Sequence, residues 1–389
     1  MSKLEELINQ LCPDGVSIGE LSNVLTIKNG KDYKSFPEGN IPVYGTGGVM
    51  TYIDRFAYDK PSVLIPRKGS LDKLYYVEEP FWTVDTIFYT EINTTVASPK
   101  FVFYYLQMMH LETLNKAGGV PSLTQTVLNK LPIPIPPLPV QEEIVRILDN
   151  MTSLTAELTA ELTAELKARQ KQYEYYRDSL LSFDEGNVQD GVRWMKLIEC
   201  CDYVDYRGKT PKKVDEGIFL VTAKNIRRGY IDYDSSQEYI AENDYLEVMH
   251  RGVPEIGDIL FTTEAPCGYV AQVDRTDIAL AQRVIKYRGH KDVINNTFLK
   301  YVLLGCSFQE KLMRAATGST VKGIKGSKLH QLTVPVPPLV EQQRIVDILD
   351  RFDKLCNDIS EGLPAEIEAR KKQYEYYRNK LLTFKEKEN

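Results

Sequence analysis

Between residues 140 and 183 the apolar positions fall three and four apart. They are Ile144, Ile147, Leu148, Met151, Leu154, Leu158, Leu162 and Leu166, with Tyr173, Tyr176, Leu180 and Phe183 carrying the stripe onward. Glu and Lys/Arg take the opposite face, so the pattern predicts one long amphipathic helix. About 44 residues at 1.5 Å each would span ~66 Å. Just ahead lies Pro134-Ile135-Pro136-Pro137-Leu138. Proline lacks the N–H that a helix interior needs but suits the first turn, so this run should end an extended segment and launch the helix.

The same pattern occurs twice. Residues 131–183 align without a gap on residues 332–384, at a constant offset of 201, with 27 of the 53 positions identical. The second copy opens Pro335-Val336-Pro337-Pro338-Leu339, keeps the stripe as Leu355, Ile359, Leu363 and Ile367, and closes on the same Lys-Gln-Tyr-Glu-Tyr-Tyr-Arg as the first, at 372–378 against 171–177. Repeats of this kind decide the architecture before any local reading does. The copies divide the chain into variable region, helical unit, variable region and helical unit. Gly362-Leu363-Pro364 stands where the first copy has an uninterrupted tract, which predicts a kink or restart there.

A helix so long cannot bury its stripe alone, and the chain has two. The economical solution packs them on each other, antiparallel, as in a symmetric dimer fused into one chain. Within the first helix, Thr-Ala-Glu-Leu occurs three times in tandem over 155–166. Each unit adds ~6 Å and carries its leucine ~40° further round the axis. Such a tract can gain or lose a unit and stay helical, as an adjustable spacer would.

Composition narrows the class. The chain is 43% hydrophobic, which excludes a disordered chain, and no apolar run approaches the ~18–20 residues of a membrane helix, so a cytoplasmic protein is expected. Cys12, Cys200, Cys201, Cys267, Cys306 and Cys356 include no C-x-x-C pair, and His110, His250, His290 and His330 are equally scattered, so no metal site or disulfide framework is expected. Catalytic motifs fail in specific ways. Gly208-Lys209-Thr210 resembles the end of a phosphate-binding loop, but Tyr203 holds the earlier glycine position. The Pro-Pro pairs lack the Asp/Asn before and the Tyr/Phe after that an amino-group DNA methyltransferase uses, with Ile135 or Val336 and Leu138 or Leu339 in those places. No enzyme is read in this chain.

A formal net charge of −6 argues against nucleic acid only until its distribution is read. Residues 206–230 hold Arg207, Lys209, Lys212, Lys213, Lys224, Arg227 and Arg228 against two acids, and residues 311–330 hold Lys311, Arg314, Lys322, Lys325 and Lys328 with no acid. Thr317, Ser319, Thr320 and the intervening glycines suit close backbone approach to phosphates, and Asn225 adds an amide. In the first half, Arg67-Lys68-Gly69-Ser70 and the stretch from Gly118 to Ser122 are the counterparts. The acids concentrate on the helix instead, eight between 140 and 183 against five basic residues. That face suits a protein partner.

The alternation of two variable regions with two helical repeats opening Pro-x-Pro-Pro-Leu resembles the specificity subunit of type I restriction–modification systems. The Thr-Ala-Glu-Leu tract resembles its type IC branch. Stretches such as Val221-Thr222-Ala223-Lys224-Asn225-Ile226, Gly257-Asp258-Ile259-Leu260-Phe261 and Leu64-Ile65-Pro66-Arg67-Lys68-Gly69-Ser70 also look like the family's pattern. The resemblance implies an α+β fold: two globular mixed α/β target-recognition domains, 1–135 and 185–336, joined by two long antiparallel helices in a coiled coil, 136–184 and 337–389, with pseudo-two-fold symmetry. It implies that each domain reads one half of a bipartite, asymmetric site on double-stranded DNA. The helices would set the spacer and dock two modification subunits, with two restriction–translocation subunits joining. S-adenosylmethionine, ATP and Mg would reside on those partners and no cofactor on this chain. The candidate DNA-binding residues are then Arg67, Lys68, Ser70, Ser122, Lys209, Lys212, Lys213, Lys224, Asn225, Arg227, Arg228, Thr317, Ser319, Thr320, Lys322, Lys325 and Lys328. The spacer residues are Leu154, Leu158, Leu162, Leu166, Leu355, Ile359, Leu363 and Ile367. The rival expectation is a helical scaffold that bridges two protein partners and binds no DNA.

Overall fold

The computed structural model describes residues 2–114, 121–184, 191–206, 211–318, 320–357 and 362–387; Lys209, Ser319 and Ile359 lie outside them. The chain forms two compact units, Met1–Leu162 with Glu366–Asn389, and Thr163–Ala365. Each helical repeat is therefore shared between the two units.

The first unit begins with helix α1 (Lys3–Leu11), whose Ser2 and Glu5 form a reciprocal capping box. Two sheets follow. The larger has the strand order Leu25–Asn29, Ile87–Ile92, Ser62–Pro66, Tyr75–Val77, all antiparallel. Ser62–Pro66 is buried at every residue, as expected of a strand covered on both faces. Its one hydroxyl is satisfied: Ser62 Oγ donates to the Thr90 carbonyl at 2.7 Å, while Thr90 Oγ1 donates to the Val63 carbonyl at 3.0 Å. The smaller sheet joins Gly48–Ile53, Glu38–Gly45 and Trp82–Thr83, the last pairing parallel. Helix α2 (Pro99–Met108) packs behind the larger sheet, burying Phe101, Val102 and Leu106. The second unit repeats the plan. Its first sheet runs Cys201–Asp205, Val284–Gly289, Ile259–Thr262, Val270–Gln272; its second includes the parallel pair Ile218–Val221 and Ile278–Leu280.

The proline runs behave as their chemistry requires. Pro132–Pro134 pairs antiparallel with Ile18–Glu20, and Thr333–Val336 with Arg193–Lys196. Helix α3 (Leu138–Leu180) then starts, with Val140 and Gln141 donating to the Pro137 carbonyl. In the second unit, α4 (Asn296–Leu304) and α5 (Cys306–Ala315) pack behind the sheet, and α6 (Leu339–Asn357) starts on the Pro338 carbonyl. A further helix, α7 (Leu363–Leu382), begins at the expected restart, with Gly362 in a bend and Pro364 in the first turn, where proline's missing donor costs nothing.

Within each unit α3 runs antiparallel to its partner helix. In the first unit Thr152 shares a hydroxyl hydrogen bond with Tyr374 of α7 at 2.9 Å, while Ile144 and Leu148 join the core that holds Leu382. In the second, Tyr176 stacks on Phe352 of α6 at 5.5 Å, and Tyr173 packs in one core with Leu349 and Cys356.

The leucine stripe needs one correction. Leu162 is 9% exposed and Leu158 and Leu166 are half-buried, but Leu154 is 66% exposed and Leu355 is also exposed. The four-residue tract explains Leu154. With ~40° of drift per unit, Leu158 and Leu166 sit ~40° either side of Leu162, and Leu154 sits ~80° away, off the buried face. Leu363 is buried and Ile367 half-buried. Among the described residues, no helix is long and apolar enough to cross a membrane.

Candidate nucleic-acid interface

At one end of the two sheets in the first unit, four chain segments are laced by backbone hydrogen bonds. The Arg67 N–H donates to the Thr86 carbonyl at 2.9 Å, and the Leu123 N–H donates to the Arg67 carbonyl at 2.9 Å. Lys68 bridges Ser122 in antiparallel register, and the Gly69 N–H reaches the Pro121 carbonyl at 3.1 Å. The fourth segment is the turn after Glu38–Gly45. Its Thr46 Oγ1 donates to the Thr86 carbonyl at 3.0 Å, its carbonyl accepts the Tyr75 hydroxyl at 3.0 Å, and the Val84 N–H returns to Tyr44 at 3.0 Å. All four first-half candidates thus come together. Lys68 and Ser70 are exposed on the cluster, Ser122 is half-buried, and Arg67 lies over the Phe88 ring, 5.8 Å from its centroid.

The second unit repeats four of these links at corresponding residues. The Thr263 N–H donates to the Arg283 carbonyl at 3.0 Å, the Ile324 N–H to the Thr263 carbonyl at 2.9 Å, and the Ala281 N–H to Val221 at 2.9 Å; Glu264 bridges Gly323. Thr263, Arg283 and Gly323 therefore occupy the places of Arg67, Thr86 and Ser122. The frame is common and the side chains on it are not.

The loop after Val221 is held from inside. Asn225 is fully buried; its Oδ1 accepts the Thr222 N–H and hydroxyl at 2.9 and 2.8 Å, while Nδ2 donates to the Asp232 and Ser235 carbonyls at 3.0 and 2.5 Å. Arg227 pairs with Asp232 at 3.0 Å. The Ser235 backbone N–H, and then Arg227 against the cost of burial, hold the Asp232 carboxyl below its usual range. On this scaffold Lys224 is exposed, and Arg228 lies over the Tyr269 ring at 5.5 Å. The neighbouring loop closes where Thr317 and Gly323 exchange backbone hydrogen bonds at 2.8 and 2.9 Å. Gly318, at φ +113°, is required there, since a Cβ would lie 2.1 Å from the Val321 carbonyl oxygen. Thr317, Thr320 and Lys322 are exposed on it, and Lys325 and Lys328 are exposed at the short helix that follows.

Two candidates sit apart. Lys213 is registered on Ile240 and through it on Ile218, at the opposite end of the sheet from Val221, and pairs with Glu238 at 2.8 Å; Lys212 precedes it. Two residues escaped the sequence reading. Arg283 stands in a basic stretch with Lys286, Arg288 and Lys291, but Lys286 and Arg288 turn to Asp258, so only the fold sets Arg283 apart, and Tyr269 is marked only by the guanidinium above it. At the opposite end of the strand pair from Thr263 and Arg283, Asp258 is buried and receives Arg288 Nε and Nη2 at 2.7 Å each, with Lys286 at 3.2 Å. Burial opposes its ionisation, but Arg288, the Glu255 N–H and Lys286 together keep its pKa below the ordinary carboxylate range. Among the described residues, no group of three His, Cys, Asp or Glu side chains could hold a metal ion.

Known proteins carry the same organisation. A family model for the type I restriction modification DNA specificity domain matches residues 13–168 and again 194–369. The chain is similar to a Haemophilus influenzae protein described as a type I restriction enzyme specificity subunit, at 33% identity over 89% of both chains. It is also similar to the Escherichia coli EcoR124I/EcoR124II specificity subunit, at 40% identity over 73% of this chain and 70% of that one. Its fold matches a chain from a structure of a type I R-M system at a TM-score of 0.65 and 17% identity, covering 95% of this chain and 97% of the other.

Proposed function

This chain belongs to the type I restriction–modification DNA specificity family, and from that premise we propose that each loop cluster reads one half of a bipartite, asymmetric DNA site. The observation that carries the reading is one hydrogen-bonded frame, repeated, with different side chains mounted on it. Equal frames present their loops to a duplex in the same way, and unequal loops select different bases. In the first cluster Arg67, Lys68, Ser70 and Ser122 face the DNA. In the second the work falls to Lys224, Arg228, Thr317, Thr320, Lys322, Lys325 and Lys328, joined by Lys209 and Ser319. Asn225 and Arg227 act by shaping the loop, and Lys212 and Lys213 grip flanking phosphates.

The recognition domains are 1–135 and 185–336, with 136–184 and 337–389 as the helical spacers. Two half-sites read from one face of a duplex lie about a helical turn apart, ~34 Å, a distance that helices can fix and loops cannot. The specificity subunit is the non-catalytic component, working with DNA and the other restriction–modification subunits. In the finer reading the acid-rich helix faces dock two modification subunits in the cytoplasm, and two restriction–translocation subunits complete the complex. Adenine methylation, S-adenosylmethionine, ATP and Mg belong to those partners.

The test is an exchange of residues 1–135 for the corresponding region of a relative with another specificity, followed by methylome sequencing. One half-site should change while the other half-site and the spacer stay. A change in both half-sites, or in neither, overturns the reading.

A further inference from the structure

We propose that Arg283 is a specificity-determining residue that reads a guanine edge in the half-site of the second unit, with Glu264 as its positioning residue. The inference rests on the reading of the loop clusters as DNA-facing. At one point of the common frame, a backbone N–H from one strand end meets a carbonyl from its neighbour: Arg67 on Thr86 in the first unit, Thr263 on Arg283 in the second. The residue pair is arginine and threonine both times, with the arginine on opposite sides of the bridge. Each cluster therefore plants one guanidinium at the same place but from a different strand. That is how two like frames can address different positions of unlike half-sites.

The setting of Arg283 is costly for a residue with no task. Its φ is +73°, a left-handed conformation that a long side chain rarely adopts. Its carbonyl is held twice, by the Thr263 N–H at 3.0 Å and the Thr263 hydroxyl at 3.2 Å. Its Nε pairs with a Glu264 carboxylate oxygen at 2.7 Å, yet the side chain stays 54% exposed. Glu264 fixes the direction of the guanidinium and places a negative charge beside it. That charge disfavours a phosphate at the same spot and leaves base-edge acceptors as the suited target. Guanine O6 and N7 match the guanidinium fork. Arg67 is held differently, reaching the Asp85 carbonyl at 3.5 Å and stacking on Phe88.

The experiment uses the full chain assembled with its modification subunits and a DNA library in which every half-site position is varied. Arg283→Gly removes the side chain where glycine suits the backbone, so the loop should keep its shape. Arg283→Lys keeps the charge and loses the fork. Both should lower discrimination at one G·C position of one half-site by about 10-fold or more, as a bidentate base contact does. The other half-site and the spacer should not change, and Glu264→Gln should weaken the same position. The inference is overturned if both Arg283 variants methylate the wild-type motif with unchanged selectivity. It is equally overturned if Arg283→Gly weakens all sequences alike and Arg283→Lys restores them, which is a phosphate contact. Absence of any bipartite motif for the wild-type complex would instead refute the reading of the clusters.

Discussion

The buried side chain of Gln342 accepts the backbone N–H of Asn295 at 2.7 Å and, through its Nε2, donates to the carbonyls of Val293 and Pro337 at 2.9 and 2.7 Å. Gln141 makes the same three bonds in the first unit, with Ser98, Val96 and Pro136. One amide thus ties the start of a spacer helix to the loop that enters α2 or α4, and so fixes each recognition domain on its helix. Gln342→Leu fills similar space but strands a buried N–H and two carbonyls. It should destabilise the chain by about 2–4 kcal/mol, measured by denaturant unfolding. A loss under 0.5 kcal/mol would show that the clamp holds nothing.

The two repeats differ beside another buried group. Arg177 pairs with Asp178 through Nε at 3.1 Å, but the equivalent Arg378 faces Asn379, and its Nη2 is buried with no hydrogen-bond partner among the described residues. Asn379→Asp should give Arg378 the missing carboxylate and raise stability by about 1.5 kcal/mol, read as a higher midpoint of unfolding. Unchanged or lower stability would contradict the assignment.

Asp258 makes the stability of the second unit depend on acid. Its folded pKa lies below that of the unfolded chain, so its contribution is present above the unfolded carboxylate value of about 4 and is lost as pH falls through the folded one. Thermal melts from pH 6 to 3 should fall more steeply for the wild type than for Asp258→Asn, which should already be less stable at pH 6. Parallel curves would rule out the network as the source.

Much of the architecture is legible in the sequence because helical periodicity and proline chemistry are local. The start at Leu138 and the restart at Leu363 follow from the residues beside them. Leu154 shows the limit: a stripe in sequence becomes a spiral when units of four residues meet 3.6 residues per turn, so one member leaves the buried face. The proposed interface is half legible. Charge density picks out Lys68 and Lys322 as candidates, but only folding reveals that Asn225 is spent inside its loop and that Arg283 stands at the same bridge as Thr86. Pairings between strands 20 or more residues apart leave no local trace.

Deleting one Thr-Ala-Glu-Leu unit, residues 159–162, removes ~6 Å of helix and ~40° of phase. The methylated site of the variant complex should have a shorter spacer and the same two half-sites. An altered half-site would sink the spacer role.

The most direct measurement is methylome sequencing of cells carrying the native complex, with and without this chain. Two unlike half-sites, separated by a constant number of unread base pairs and lost when the chain is absent, are the predicted result. A palindromic or continuous motif, or a methylation pattern that persists without the chain, would contradict the claim that two like frames with unlike loops read the two ends of one site.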